Sequence, residues 1–344
     1  MIHSILQTDQ HVQILHQLLH PQHLDSVLPP PPTFTEKDVL PGSQVGKVFI
    51  VTGGNSGLGR ELIKLLYPTG ATIYVAARSQ ERAERAIDEI KAAEPAAATP
   101  SRLKYLHLDL NDLTTIKPSA AAFASQETQL DILWNNAGIG GAPAGTTTAQ
   151  GIEGHMGVNC VAPLLFTEEL VPQLRVAAAQ RPPGSVRIVW ASSLSMETLS
   201  PPGGIDFALL GKGATEVPSR DYAMSKCGNW FLAMEGAKRH GPDGIISVAE
   251  NPGQLDTDVW RYQSSLLMMG VRRTLHDRKL GAYTMLYAGF SQDVTQERNG
   301  AYVLPWGRLL DIMDFPRRDI TEAINAGQPT KFWEWCTEQW GDYV

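Results

Sequence analysis

From residue 47 onward the apolar and polar positions of the chain alternate between two periods. Short runs rich in β-branched and aromatic residues read as buried strands: KVFIVT (47–52), ATIYVAA (71–77), LKYLHLDL (103–110), LDILWNN (130–136), SVRIVWASS (185–193), IISVAEN (245–251) and AYVLP (301–305). The segments between them have the spacing of amphipathic helices: GLGRELIKLLY (57–67), SQERAERAIDEIKAA (79–93), a stretch near 152–174, and another from about Asp221 to His240. Strands alternating with helices predict an α/β fold, a doubly wound parallel sheet of about seven strands with helices on both faces. The pattern covers residues 46–310, read as one catalytic domain.

Residues 1–45 follow a different rule. Ile5, Leu6, Val12, Ile14, Leu15, Leu18 and Leu19 form a loose helical stripe, and the run Pro29–Pro32 ends any helix there. This part is expected to be a partly flexible N-terminal arm, able to dock on the domain or on a second subunit. His16 and His20 share a helical face, but no carboxylate or thiolate joins them, so no metal site is expected. Residues 311–344 are expected to be an extension packed on the domain, with Trp333, Trp335 and Trp340 as anchors.

Composition narrows the function. A net charge of −7 disfavours nucleic acid as a partner, and three widely spaced cysteines, Cys160, Cys227 and Cys336, point to a reducing compartment without disulfides. The first thirty residues hold no Lys or Arg and no apolar run near the roughly 20 residues of a membrane helix, so the expectation is a cytoplasmic protein without a membrane span.

The first strand runs straight into TGGNSGLG (52–59) and then a helix. Gly53 permits a tight turn, Gly57 lets the backbone approach a pyrophosphate, and Gly59 lets helix and strand pack closely, as in a Rossmann-type fold. The second strand ends at Arg78, where NAD-selective folds carry a carboxylate that bonds the ribose 2′-hydroxyl. An arginine binds a 2′-phosphate bidentately, with Arg60 as a possible helper, so the expected cofactor is NADP(H).

Farther along, YAMSK places Tyr222 and Lys226 four residues apart, one turn on a helix, and a strand ends at Ser192 and Ser193. A phenol near its ordinary pKa of about 10 needs a neighbouring ammonium to bring it toward the working range. Tyr222 is expected to move the proton, Lys226 to supply the charge, and Ser193 to hold the reacting oxygen, with Ser192 as the runner-up.

The order TGGNSGLG, NNAG (135–138), Asn159, Ser193, YAMSK (222–226) and NPG (251–253) resembles the short-chain dehydrogenase/reductase family from residue 46 to about 307. The insert between Ser193 and Tyr222, GKVFIVTGGNSGLG and YVLPWGR are similar to a fungal group within the branch of retinol dehydrogenases and WW-domain oxidoreductases. The resemblance implies a catalytic set of Asn159, Ser193, Tyr222 and Lys226, with Asn159 helping to hold the lysine and a relay water. It implies cofactor contacts from Gly53, Asn55, Ser56, Gly57, Leu58, Gly59, Asp109, Leu110, Asn136, Ala137, Gly138, Tyr222, Lys226, Pro252, Gly253 and Thr257. Family members are often dimers or tetramers, so a homodimer or homotetramer is open.

Trp260, Tyr262, Leu266, Leu267, Met268 and Met269 fall where this family covers its substrate, and they suit a medium-sized apolar carbonyl or alcohol, or equally a pair of packed lid helices. The expected activity is interconversion of a ketone or aldehyde with an alcohol, in keeping with specialised metabolism. The alternatives are a non-catalytic NADP(H)-binding sensor or scaffold, and reduction of an enone double bond.

Overall fold

The computed structural model describes residues 24–210, 217–256 and 275–343. Their frame is one eight-stranded sheet: β1 (Val48–Thr52), β2 (Thr72–Ala77), β3 (Arg102–His107), β4 (Ile132–Asn135), β5 (Arg187–Ala191), β6 (Ile246–Glu250), β7 (Tyr302–Leu304) and β8 (Arg308–Leu310), in the order β3-β2-β1-β4-β5-β6-β7-β8. Every pairing through β7 is parallel, and β8 returns antiparallel to β7. The sheet is thus doubly wound, as the sequence implies, with one strand more than expected. The extra strand has only three half-buried residues, too few for a period to register.

β1, β2, β4, β5 and β6 are buried along their whole length, which explains their near-continuous apolar composition. One face is covered by α1 (Gly57–Leu66), α2 (Gln80–Ala93) and α7 (Arg278–Phe290). The other is covered by α3 (Ile116–Ala124), α4 (154–180) and α6 (Pro218–His240), with α5 (Leu194–Leu199) beside α6. α4 carries a π-helical stretch at Gly157–Val161 and continues to Gln180, past the expected end near 174. The chain leaves β1 toward β2 and β3, then crosses back to β4. The strand order reverses between β1 and β4, and that reversal opens a crevice at the carboxyl ends of the strands.

α8 (Arg318–Asn325) and α9 (Gln328–Glu338) close the chain against α6. Phe332 and Trp333 are buried, Trp335 stacks on Phe332 at 5.8 Å, and Trp340 donates its indole N–H to the Val161 carbonyl. The tryptophans of the tail therefore act as packing anchors. The apolar stripe of residues 5–19 and the lid residues 260–269 lie outside the described residues.

On the opposite face, Gly289 of α7 lies against the buried ring of Trp134, so tightly that an added Cβ would overlap the indole. Trp134 is held by an N–H bond to the Met285 carbonyl and by the rings of Phe49 and Phe290, and it has no room to retreat. Gly289→Ala should therefore lower the melting temperature by several degrees. Overpacking costs about 1–3 kcal/mol and exceeds the roughly 0.5–1 kcal/mol that alanine returns in helix propensity; thermal denaturation followed by circular dichroism measures it.

Candidate functional site

The crevice begins where β1 turns into α1. Gly53 has φ +68° and donates its N–H to the Ala76 carbonyl at 2.8 Å. Gly59 meets the Asn136 side chain and the Gly53 carbonyl so closely that a Cβ would lie 2.7 and 2.8 Å from them. Gly57, with φ +55°, has nothing within 4 Å of the Cβ position. Two glycines of the turn thus serve packing, while the middle one leaves backbone open toward the crevice, as a phosphate cradle requires. The Ser56 side chain makes no cap bond to the N–H groups that open α1. Asn55 is half-buried, Ser56 exposed, and Leu58 points toward Gly281 of α7.

The NNAG turn locks onto the same strand. Asn136 donates its amide to the Thr52 carbonyl at 2.8 Å, and the Ala137 N–H donates to the Thr52 hydroxyl at 2.8 Å. Asn135 instead donates inward to Thr167. Asp109 accepts the Asn111 N–H just past β3, and Leu110 is buried beside it. Arg78 is exposed at the end of β2 and makes no hydrogen bond or ion pair with a described residue. The Arg60 guanidinium is paired with Glu89 of α2 at 2.6 Å.

Across the crevice, the two serines at the end of β5 face different ways. Ser192 is buried and donates to the Lys226 carbonyl at 2.8 Å. Ser193 caps α5 by accepting the Ser195 N–H, and its hydroxyl lies close enough to the Tyr222 phenol to lower that group's pKa. The Lys226 ammonium lies 5.6 Å from the Tyr222 ring centre and donates to the Ala191 carbonyl at 2.8 Å. Asn159, in the π-helical stretch, clamps Ile139 by accepting its N–H at 2.8 Å and donating to its carbonyl at 3.0 Å, and it also donates to Ser225. Its side chain therefore holds the segment after the NNAG turn. Gly138 lies between them: a Cβ there would come 2.9 Å from the Asn159 carbonyl oxygen and 3.6 Å from the lysine nitrogen.

Burial pushes the Tyr222 phenol up to about 12, opposed by the Ser193 hydrogen bond and reinforced by Glu250. Burial also pulls Lys226 down to about 8, against the favourable charges of Cys160 and Glu250. In both groups burial is the largest influence, raising the phenol and lowering the ammonium.

Glu250 was not singled out in the sequence, although an acid closing the apolar run ISVAE is its visible trace. It is buried at the end of β6, pushed up to about 8 by burial against the pull of Lys226, and one of its oxygens has no hydrogen-bond partner. His155 was missed too; its ring lies 6.0 Å from that of Tyr222, edge-on, and Glu153 holds its Nδ1.

Beyond β6, Gly253 has φ +88° and donates its N–H to Asn251 at 3.0 Å. The Trp306 indole nitrogen would lie 3.2 Å from a Cβ at Gly253, and neither that buried nitrogen nor the buried side-chain amide oxygen of Gln254 has a hydrogen-bond partner among the described residues. One spare donor and one spare acceptor on either side of this turn suit a planar amide, the polar group of a nicotinamide ring. Pro252 is half-buried at the turn; Thr257 lies outside the described residues.

A doubly wound sheet whose switch-point crevice opens on a glycine turn leading into a helix defines a Rossmann-type, nucleotide-binding fold. The family model for short chain dehydrogenase matches residues 47–201. The chain is 55% identical over 317 residues to short-chain dehydrogenase/reductase iacJ of Pestalotiopsis fici, an alignment spanning 92% of this chain and 96% of that protein. It is 42% identical over 329 residues to a short-chain dehydrogenase/reductase of Phomopsis amygdali, spanning 92% and 96%. The chain belongs to the short-chain dehydrogenase/reductase family of oxidoreductases. Among solved structures of the same fold are NADPH-bound carbonyl reductase from chicken fatty liver, with TM-score 0.57, 22% identity and coverage of 78% of this chain and 99% of that one, and an NADH complex of 3-ketoacyl-(acyl-carrier-protein) reductase from Brucella melitensis, with TM-score 0.56, 22% identity and coverage of 77% and 98%. Among the described residues no helix is long and apolar enough to cross a membrane.

Proposed function

We propose that the chain is a cytoplasmic NADP(H)-dependent carbonyl reductase that interconverts a medium-sized apolar ketone or aldehyde with its alcohol in specialised metabolism. The observation that carries this reading is the Lys226 ammonium 5.6 Å from the Tyr222 ring, beside Gly138 and Asn159, with the Ser193 hydroxyl acting on the same phenol. The bound dinucleotide supplies the hydride. Ser193 donates a hydrogen bond to the carbonyl oxygen, Tyr222 gives that oxygen its proton, and Lys226 stabilises the phenolate left behind. Arg78, exposed at the end of β2 and bonded to no described residue, supports the choice of NADP(H). Support for an apolar substrate comes from the composition of residues 260–269.

The complete Ser–Tyr–Lys set argues against a sensor or scaffold that only binds the dinucleotide. NADPH oxidation measured against a panel of medium-sized ketones, with product analysis on a conjugated enone, decides among the readings. Alcohol products support carbonyl reduction, saturated ketones assign the activity to the double bond, and binding without turnover across the panel returns the protein to the sensor class.

A further inference from the structure

α5 opens at Ser193, and its fourth residue, Glu197, is a carboxylate buried to 2% exposure that gathers donors from three distant parts of the chain. Ser26, at the end of the described N-terminal segment, donates its hydroxyl to the two carboxylate oxygens at 3.2 and 3.3 Å across 171 residues of sequence. Asn251 donates its amide at 3.4 Å, and Tyr302 of β7 donates its phenol at 3.5 Å. Every member of the set is buried, and Val27, next to Ser26, is buried against Leu194. Asn251 also accepts the Gly253 N–H at 3.0 Å, so the carboxylate is two hydrogen bonds from the turn beside Trp306.

We infer that Glu197 is a positioning residue for the turn that receives the nicotinamide end of the cofactor, and that the N-terminal segment, through Ser26, completes it. The inference depends on the dinucleotide reading above and deepens it. A side-chain amide can rotate, and Asn251 must present its oxygen to Gly253; Glu197 fixes that orientation by accepting the amide N–H on the other side. The carboxylate needs several donors to remain in a dry site, and Ser26 is one of them. The N-terminal segment is tied at its other end as well, where Phe34 packs edge-on against Tyr287 at 5.6 Å and Glu36 pairs with Lys279 at 2.9 Å. The prolines at 29–32 between these anchors keep the connection extended and allow little slack.

The test compares two ligands by calorimetric titration of the full chain: NADPH, and 2′-phospho-ADP-ribose, which lacks the nicotinamide ring; NADH and ADP-ribose are run in parallel so that the outcome does not depend on Arg78. Loss of a charge-assisted hydrogen bond should weaken the whole dinucleotide roughly tenfold in Glu197→Ala and a few-fold in Ser26→Ala, while the ring-less ligand binds as in the parent protein. Adding Ser26→Ala to Glu197→Ala should cost nothing further, because the two side chains act through one contact. If Glu197→Ala fails to fold, Ser26→Ala alone decides between the outcomes. Equal weakening of both ligands, or weakening of neither, overturns the inference and leaves the proposed function standing. A parent protein that binds none of the four ligands overturns the dinucleotide reading, and this inference with it.

Discussion

Tyr222→Phe should abolish carbonyl reduction, with turnover falling about 10²–10⁴-fold, the usual contribution of a positioned general acid, while NADPH still binds. The substitution removes one oxygen. The ring keeps its edge-on contact with His155, the Ser193 hydroxyl still caps α5 through the Ser195 N–H, and Lys226 is still held by the Ala191 carbonyl. What disappears is the proton that burial keeps on the phenol across the neutral range. Because the geometry around the missing atom is fixed by other contacts, the loss should appear in kcat and not in the dissociation constant for NADPH. The check is NADPH oxidation on any ketone that the parent enzyme turns over, with fluorescence titration of NADPH on the same preparation. Turnover within a few-fold of the parent would remove Tyr222 from the mechanism.

Arg78→Ala should weaken NADPH by about tenfold or more and NADH by much less, because a guanidinium–phosphate contact is a charge-assisted, often bidentate bond, and only NADPH carries the 2′-phosphate. The position makes the experiment clean. Arg78 is exposed and bonded to no described residue, so its removal should leave the melting temperature unchanged. Arg60 cannot take over without releasing Glu89, its partner at 2.6 Å. Dissociation constants for the two dinucleotides, measured side by side, give the ratio. Equal losses would mean that Arg78 is a surface residue and that selection lies elsewhere.

Much of the fold was legible in the sequence because its signals are local. A parallel strand buried on both faces must be apolar over its whole length, so β1, β2, β4, β5 and β6 show themselves as runs. The glycine turn is legible for a similar reason, since positive φ at Gly53 and Gly57 demands glycine whatever lies around them. The four-residue spacing of Tyr222 and Lys226 needs only a helix to become a shared face. The eighth strand was hidden, because three residues after a tight turn carry no period.

The site divides along the same line. The sequence by itself determined the order of its parts, the residue types able to hold phosphates and move a proton, and the strand–helix alternation that brings them to one edge of a sheet. Only the tertiary structure decided where each serine turns: Ser192 and Ser193 are chemically the same, and the way the chain leaves β5 sends one to the Lys226 carbonyl and the other to the cap of α5. It also decided the direction in which the two groups shift, since burial is a property of the whole packing and raises the phenol while lowering the ammonium. The buried Glu250 and the meeting of Ser26 with Glu197 belong to that second group, because contacts between residues so far apart leave no periodic mark in either segment and arise only when the core closes around them.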